Sequence, residues 1–416
     1  MKDNLYPIKI GPESRHVVDR TGKPFLIQGE AAWSLFTGLT HQAAAYYIEN
    51  RRDKGFNTLI VNLIEHQFKG PVNRYAEAPF LTAGDFTTPN EDYFRRVDRV
   101  IEMAENEGIQ ILLAPIYLGY PGTNDGWYAE AIRNGPAKCR EWGRYVGKRY
   151  ALRDNIVWLM GGDRNPNQAL ELVNEVAYGI RDFDERHLMT GHTLEEHSPI
   201  VEYSDGGWID LNCTYTYGSV QKKLMDDYAR RPPIPFFLIE SVYEGEWNAS
   251  EVQIRRQAYW SILCGGTGQI MGNRPIWLFD PGWREAMESK GSNDMMRLGA
   301  LFHSRPWHEL VPDVRHDVVL DGLGEFRGFD YLAAARTRDG SCLIAYMPTA
   351  RQFTVDLSKL KGPDITAWWY EPGTGNATSG GQFEAKGTVP FVPPNPGDWV
   401  IVLDGGSGPS TEPGRS

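Results

Sequence analysis

Short, nearly continuous apolar runs alternate with amphipathic stretches from about residue 25 to residue 275. Such runs, separated by helical patterns, are typical of a parallel sheet buried on both faces. The predicted strands are, in chain order, PFLIQGEAAW, FNTLIVNLI, IQILLAPIYL, NIVWLMGGD, HLMTGHT, IDLNCTYTY, PFFLIES and TGQIMGN. The clearest helical stretches between them are HQAAAYYIENRRDKGF, EDYFRRVDRVIEMAENEG, PAKCREWGRYVGKRYA, ALELVNEVAYGIRDFD and EVQIRRQAYWSILCGG.

Eight strand–helix units in this length predict an α/β fold of the (β/α)8 TIM barrel type. A doubly wound sheet is the alternative arrangement of such units. The first predicted strand, however, lacks the G-x-G-x-x-G turn of a dinucleotide site, and this favours the barrel.

The pattern changes after PWHELVPD, residues 306–313. Short strands such as RQFTVDL, ITAWWYEPGTG and DWVIVLDG are separated by turn residues, as in a small antiparallel β-sandwich. We therefore predict a barrel over residues 1–314 and a sandwich domain over 315–404. The low-complexity end, GGSGPSTEPGRS, predicts a disordered tail over 405–416.

Composition narrows the possible partners. The formal net charge is −11, from 43 basic and 54 acidic residues, and this argues against nucleic acid or an anionic membrane as a partner. The 13 Trp, 20 Tyr and 17 Phe give a slight preference for carbohydrate, because sugar faces stack on aromatic rings. The four cysteines are scattered without CxxC spacing, so we expect neither a zinc site nor a disulfide framework.

The compartment is left open by the sequence. The start, MKDNLYPIKI, has no apolar signal core, and no stretch is long enough to span a bilayer. As written, the chain is expected to be cytoplasmic. If Met1 replaces a removed signal peptide, the protein would be periplasmic or secreted.

Polar and aromatic residues follow each predicted strand, at the end of the barrel where active sites lie. There is no serine on a nucleophile elbow and no phosphate loop. The residues at these strand ends are Glu30, Trp33, Asn62, Glu65, His66, Tyr117, Asp163, Arg164, His192, Tyr215, Tyr217, Glu240 and Asn273. We predict all of them as site residues, and add Trp283, although Trp33, Trp277 and Trp283 could equally be packing residues.

Two carboxylates stand out by their context. Asp163 follows two glycines after the fourth strand, and Glu240 ends the apolar run of the seventh. These strands lie on opposite sides of an eight-stranded ring, and cleavage of a glycosidic bond needs one carboxyl on each side of a sugar. Alternatively, Asp163 caps a helix or pairs with Arg164, and Glu240 forms a structural ion pair. Spacing alone does not distinguish a retaining from an inverting mechanism.

Several longer motifs together carry a family resemblance. They are FLIQGEAAWSLF, RRDKGFNTLIVNL, WLMGGDRNP, FFLIESVYEG, RRQAYWSILCGGTGQIMGN and PWHELVPD. They span about residues 8 to 404, and the chain resembles the apiosidase-like glycoside hydrolases. In that family the barrel is followed by a small β-domain often described as collagen-binding.

The resemblance implies a hydrolase that releases the branched pentose apiose from plant glycosides, including pectin. It makes Asp163 the general acid/base and Glu240 the nucleophile, and the two glycines would let the backbone turn the acid into the cleft. No cofactor and no metal are expected. One motif departs from the family, since Gly-Asp-Thr-Ala-Trp is replaced by a sequence with Glu30, and this could redirect substrate preference.

Three hypotheses follow. The first is a retaining exo-glycosidase that acts on β-linked apiose. The second is the same mechanism on another pentofuranoside, a hexoside or a uronide. The third is a catalytically silent glycan- or matrix-binding protein that keeps the barrel as a scaffold. The oligomeric state is not readable from the sequence.

Overall fold

The computed structural model of the protein describes residues 5–406 and 411–415. A short antiparallel hairpin comes first, β1 (Lys9–Ile10) with β2 (Val17–Val18). The barrel strands are β3 (Ile27–Ala31), β4 (Thr58–Asn62), β5 (Gln110–Ile116), β6 (Ile156–Gly161), β7 (Met189–His192), β8 (Asn212–Tyr215), β9 (Phe236–Glu240) and β10 (Gly268–Met271). Every predicted barrel strand is thus confirmed.

These eight strands form one parallel sheet in the order β7-β6-β5-β4-β3-β10-β9-β8. The two end strands, β7 and β8, meet without a regular ladder. The backbone amides of Asp210 and Leu211 donate to the Met189 carbonyl, and the Cys213 thiol lies 2.7 Å from the Gly191 carbonyl oxygen. The sheet is therefore a nearly closed barrel, as the sequence predicts.

Helices surround the barrel. They are α1 (Leu35–Gly38), α2 (His41–Asp53), α3 (Glu91–Glu107), α4 (Tyr128–Tyr150), α5 (Leu170–Arg181), α6 (Pro199–Glu202), α7 (Val220–Tyr228), α8 (Glu251–Leu263), α9 (Trp283–Ala286) and α10 (Lys290–His303). Short 3-10 turns lie at Asn167–Ala169, Ser204–Gly206, Trp307–Glu309 and Leu357–Lys359. None of the described helices is long and apolar enough to cross a membrane.

Helix α4 starts earlier than predicted, because the sequence pattern reveals only its second part. Gly135 has non-helical dihedrals (φ 71°, ψ 176°) and precedes Pro136, so two helical segments meet there.

Helix α3 has the capping residues expected at both of its ends. Its Asn90 side chain accepts from the Asp92 amide at the start, and Gly108 ends it in the left-handed conformation.

Side chains alternate between the two faces of the barrel strands. In β4, Ile60 packs into the barrel interior, whereas Leu59 and Val61 pack outward against the helices. At the amino-terminal end of the barrel, the Tyr6 hydroxyl donates to the carbonyls of Asn57 and Gly108, just before β4 and β5. The segment before β1 therefore covers that end, and the opposite end remains for a site.

The C-terminal part is built of antiparallel sheets, as predicted. Its strands are β11 (Leu310–Pro312), β12 (Val319–Asp321), β13 (Ala333–Thr337), β14 (Cys342–Met347), β15 (Phe353–Asp356), β16 (Asp364–Tyr370), β17 (Ala377–Glu384), β18 (Thr388–Phe391) and β19 (Trp399–Gly405). Six of them pair in the order β11-β13-β14-β19-β16-β17, and the other three pair as β12-β15-β18. Strand β11 ends at Pro312, before the predicted boundary at 314/315, and pairs with β13. The C-terminal sheet therefore begins a few residues before that boundary.

The larger C-terminal sheet packs against other elements on both faces, except at its edge strand β17, which is largely exposed. One face packs against β12, β15 and β18, and the other packs against barrel helices α8 and α10. On the barrel side, Tyr259 stacks on Tyr346 with ring centroids 4.5 Å apart and planes 8° from parallel. The two parts therefore share one continuous apolar core.

Two ion pairs cross the same interface. Arg255 binds Asp398 through two hydrogen bonds of 2.8 Å. Arg305, whose side chain is fully buried, binds Asp404 through Nε and Nη2, at 2.9 and 2.7 Å. Arg305 also donates to the carbonyl of Thr411.

The segment predicted as a disordered tail begins inside β19, which runs to Gly405. Residues 411–415 lie against the folded part, where the Gly414 amide donates to Ser304 Oγ. Residues 407–410 and 416 lie outside the described residues. For these, the predicted disorder stays a prediction.

The buried pair between Arg305 and Asp404 gives a stability prediction. Asp404→Ala leaves a buried guanidinium without its carboxylate, and we expect it to lower the free energy of unfolding by about 3–5 kcal/mol. Urea denaturation followed by fluorescence measures the loss. Asp226→Ala is the control, because Asp226 pairs with Lys222 on the surface, and it should change the free energy by less than about 0.5 kcal/mol. Equal losses in the two variants would contradict the role of the buried pair.

Candidate active site

A cavity of about 150 Å³ opens at the carboxyl ends of the barrel strands. Loops from several strands contribute aromatic and acidic side chains to its wall, as expected for a barrel of this kind. The lining residues are Trp33, Phe68, Tyr117, Asp125, Asp163, Tyr217, Glu240, Tyr243, Glu246 and Trp277. Both carboxylates singled out in the sequence, Asp163 and Glu240, thus face the same cavity.

Asp163 reaches the cavity through an unusual backbone turn. Gly161, Gly162 and Asp163 all have positive φ, of 78°, 143° and 43°. A Cβ on Gly162 would lie 2.1 Å from Cδ2 of Tyr117, so only glycine lets this ring approach the backbone. The close approach allows the Tyr117 hydroxyl to donate to Asp163 Oδ2 at 2.6 Å.

Glu240 reaches the cavity through an irregularity in β9. Thr214 of β8 pairs with Leu238, but the next residue, Tyr215, pairs with Glu240, so the register skips Ile239. The skipped residue interrupts the alternation of side chains at the end of the strand. The Tyr217 hydroxyl then donates to Glu240 Oε1 at 3.0 Å.

His192 lies between the two carboxylates and is fully buried. Its Nε2 is 3.1 Å from Glu240 Oε2, and its Nδ1 is 3.5 Å from Asp163 Oδ1. The Nδ1 atom is also 3.1 Å from the Thr193 carbonyl and 3.3 Å from the Asp163 amide. Nδ1 can therefore donate to the carbonyl when the imidazole is charged and accept from the amide when it is neutral.

The electrostatics of this group favour a protonated Asp163. Burial, followed by the negative charge of Glu240, raises the pKa of Asp163 to about 7. Burial by itself lowers the pKa of His192, but the hydrogen bond to Glu240 and the charge of Asp163 outweigh it, and the pKa lies above its ordinary value. One acid is thus set to hold a proton near neutral pH beside a positively polarised imidazole.

Two polar atoms in the cavity wall remain available to a ligand. Trp277 Nε1 and Asp163 Oδ1 are buried and have no hydrogen-bond partner among the described residues. Buried polar groups are nearly always paired, so these two atoms are candidates for contact with polar groups of a ligand. Both amide atoms of Asn62, at the end of β4, are also buried and unpaired among the described residues, but this predicted site residue does not line the cavity.

Asp163, His192 and Glu240 also form a group that could hold a metal ion. One potential ligand atom from each residue lies within 4.8 Å of the other two. A cation bound by all three residues would replace the hydrogen bond between His192 and Glu240.

Two predicted site residues, Glu30 and Glu65, do not line the cavity. Alternation along β3 points Glu30 away from the barrel interior and toward helix α2. There Arg51 Nη1 donates to Glu30 at 2.9 Å, and the Tyr47 hydroxyl donates to it at 2.5 Å. Glu65 accepts hydrogen bonds from the hydroxyls of Ser34 and Thr37, and burial raises its pKa to about 8. Both carboxylates are tied into packing around the barrel.

Histidine 66 and arginine 164 are also outside the cavity wall. His66 Nε2 lies 3.3 Å from Glu130 in a separate hollow. Arg164 donates to the carbonyls of Gly119 and Tyr120 at 3.0 Å each, so it fixes the loop that carries Asp125 and does not pair with Asp163.

The remaining predicted residues, Asn273, Trp283 and Tyr215, have structural contacts. Asn273 donates to Glu244 at 3.0 Å. Trp283 packs in the core, with its ring centroid 5.4 Å from that of Phe279. Tyr215 lies 4.9 Å from the His192 ring, behind the cavity wall.

Five lining residues are missed by the sequence reading: Phe68, Asp125, Tyr243, Glu246 and Trp277. They lie in loops, several residues beyond the strand ends, where strand periodicity no longer applies. Trp277 has a weak signal, as a tryptophan four residues after Asn273. Tyr243 and Glu246 belong to the motif FFLIESVYEG or follow it directly.

Comparison with known proteins identifies a family for each part of the chain. Residues 12–309 match the family described as "Apiosidase-like, catalytic domain", and residues 311–404 match "Putative collagen-binding domain of a collagenase". No curated protein sequence is significantly similar to the chain.

Solved structures with the same fold include a glycoside hydrolase with a TM-score of 0.86 and 24% identity, over 97% of this chain and 98% of that one. A glycoside hydrolase family 5 structure from Bacteroides vulgatus ATCC 8482 also has a TM-score of 0.86 and 24% identity, over 96% of this chain and 93% of that one. Because the catalytic-domain match covers most of the barrel and well over half of the sequence, the chain belongs to the apiosidase-like family of glycoside hydrolases.

Proposed function

We propose that the protein is a retaining exo-glycosidase that releases terminal β-linked apiose from plant-derived glycosides or pectin side chains. The observation that carries this proposal is the placement of Asp163 and Glu240 in one small cavity, on either side of His192. A cavity of about 150 Å³ suits a single sugar ring and favours attack at the end of a glycan.

The distance between the carboxylates supports retention. One oxygen of Asp163 lies within 4.8 Å of one oxygen of Glu240. Retaining enzymes hold their carboxyl groups about 5–5.5 Å apart, whereas inverting enzymes need about 6.5–9.5 Å to admit water. The nearest oxygens of two carboxyl groups lie closer together than the groups themselves, and a nearest approach this short favours the smaller of these separations. In the proposed reaction Glu240 attacks the sugar carbon while Asp163 protonates the leaving oxygen. Water deprotonated by Asp163 then releases the sugar from Glu240.

Several neighbours fit these roles. The raised pKa of Asp163 keeps a proton available for the leaving group. The Tyr217 hydroxyl and His192 both contact Glu240, so they can orient the attacking carboxylate and compensate its charge. Once Glu240 is consumed by the covalent bond, the negative charge beside Asp163 is lost. Its pKa then falls, which suits its second role as base.

Glu30, which replaces the aspartate of the family motif, does not contact a sugar in the cavity, because Arg51 holds it outside the cavity wall. Specificity would rest instead on lining residues such as Asp125, Tyr243, Glu246 and Trp277.

A panel of aryl and natural glycosides tests the substrate. Release of another pentofuranose, a hexose or a uronic acid would keep the mechanism and replace apiose as the substrate. No release from any glycoside in the panel would contradict the proposal.

The nucleophile role predicts that Glu240→Gln lowers kcat by more than about 1,000-fold, because an amide cannot form the glycosyl intermediate. Initial rates on the best glycoside of the panel measure the loss. Glu246→Gln is the matched control, since it removes a second carboxylate of the same cavity, and its loss should be far smaller.

Two further measurements separate the mechanisms. A retaining enzyme should give a methyl glycoside of unchanged anomeric configuration in the presence of methanol, and only inverted product would rule out retention. Treatment with EDTA should leave the wild-type rate unchanged. A loss restored by a divalent cation would assign the three-residue group to a metal.

The acid role predicts a dependence on the leaving group. Asp163→Asn should lower kcat/KM about 100- to 10,000-fold on natural glycosides and much less on aryl glycosides with acidic leaving groups, which need little protonation. In the wild type, kcat/KM should fall as pH rises through about 7, where Asp163 loses its proton. This alkaline fall should be absent in Asp163→Asn. An equal loss on every leaving group would remove Asp163 from the acid role.

The raised pKa of Asp163 also predicts that Asp163→Asn stabilises the protein more at high pH than at low pH. The folded protein holds this proton up to about pH 7, whereas the unfolded chain releases it near 3.8, so the group costs stability as pH rises between these values. Asp163→Asn removes that cost. Its melting temperature relative to wild type should be higher at pH 8 than at pH 5, by on the order of 2 °C. A difference independent of pH would show that the pKa is not raised.

A further inference from the structure

A groove of about 370 Å³ lies beside the active-site cavity, between the barrel and the C-terminal domain. We call it the interface groove. Its barrel side comes from residues 217–221, 241–242 and 247–250 together with Gln253, Arg256 and Trp260, and its other side comes from residues 327–329. Tyr217 lines both spaces, and Ser241 and Trp247 of the groove directly follow Glu240 and Glu246 of the cavity. The groove is thus a continuation of the cavity wall.

Aromatic rings flank the groove on both sides. The Trp247 ring lies 5.1 Å from the Tyr217 ring, and Trp247 is 72% exposed. On the opposite side, Phe329 of the C-terminal domain is 76% exposed. Single exposed aromatics are common, but these two line the same groove, next to a candidate active site. They provide apolar surfaces on which sugar faces can stack.

Four residues that line the groove carry unpaired polar atoms. Ser219 Oγ, Gln221 Oε1, Ser241 Oγ and Arg256 Nε are all buried atoms with no hydrogen-bond partner among the described residues. Gln221 and Ser241 are almost completely buried residues, at 0% and 2% exposure. Leaving such groups unpaired is costly, so a ligand with several hydroxyl groups would satisfy them.

The C-terminal side of the groove is fixed to the barrel. Gln221 Nε2 donates to the Gly328 carbonyl at 2.9 Å, and Arg256 Nη1 donates to the Phe329 carbonyl at 3.0 Å. The Arg256 guanidinium also lies 4.7 Å from the centroid of the Phe329 ring. Residues 327–329 are therefore held in place before any ligand arrives, which lowers the entropic cost of binding.

We propose that the interface groove is a subsite for the sugar units of the leaving group, and that the C-terminal domain supplies one wall of it. The inference rests on the proposed exo-action: if the terminal sugar fills the cavity, the rest of the substrate must lie outside it. Aromatic faces combined with unpaired donors and acceptors suit a glycan better than an apolar aglycone. The C-terminal domain thereby becomes part of the substrate-binding surface.

Kinetics on two substrates test the groove. The short substrate is p-nitrophenyl apioside, and the long substrate carries apiose on an oligosaccharide. Phe329→Ala and Trp247→Ala should each lower the ratio of kcat/KM for the long over the short substrate by about tenfold. Phe326→Ala is the control, because Phe326 lies in the same loop but does not line the groove, and its ratio should stay within about twofold of wild type. An unchanged ratio in both groove variants would overturn the proposal.

Binding separates a failure of the groove from a failure of the proposed activity. Cellotetraose, xylotetraose and tetragalacturonate are titrated by calorimetry into the wild type, Glu240→Gln and Phe329→Ala. We expect at least one to bind the first two proteins and to bind Phe329→Ala about tenfold more weakly. If no glycoside is hydrolysed but this binding pattern holds, the proposed activity is wrong, whereas the groove is still a glycan-binding surface that includes the C-terminal domain. If apiose is released but binding and the substrate ratio are both independent of Phe329, the groove falls and the activity stands.

Discussion

The arrangement of the site depends on holding two carboxylates close together in a buried cavity. Asp163 and Glu240 approach within 4.8 Å, and two negative charges at that distance would repel each other strongly. The structure relieves the repulsion by placing the His192 imidazole between them and by raising the pKa of Asp163. One carboxyl protonated and one ionised, bridged by a basic ring, is also the charge state from which an acid and a nucleophile can act together.

Local backbone features around this pair serve the same requirement. Glycine at 162 lets the Tyr117 ring lie against the backbone and bind Asp163, and the skipped residue in β9 sets the direction of Glu240. Away from the site, the barrel is joined to the C-terminal sheet by one apolar interface with buried ion pairs.

Strand periodicity explains why Glu30 lies outside the cavity wall, but it does not explain why the other predicted residues line that wall. Trp33, Tyr117, Asp163, Tyr217 and Glu240 line it, whereas Glu30 points to the outer face of β3, where Arg51 holds it. The sequence places all of them near the correct end of the barrel. It does not tell which face each side chain takes once a strand ends, since turns and bulges reset the alternation.

The amino-acid pattern by itself indicated the eight-stranded barrel, the antiparallel domain after it, the family, and two acidic residues that the fold brings into one cavity. These follow from short-range periodicity and from motifs that are contiguous in the chain. Only the tertiary structure decided that His192 lies between those acids and that Phe68, Tyr243 and Trp277 line the cavity. It also decided that residues 327–329 form one side of the interface groove. The physical reason is that such contacts join residues from distant loops, and their positions depend on how the whole chain packs.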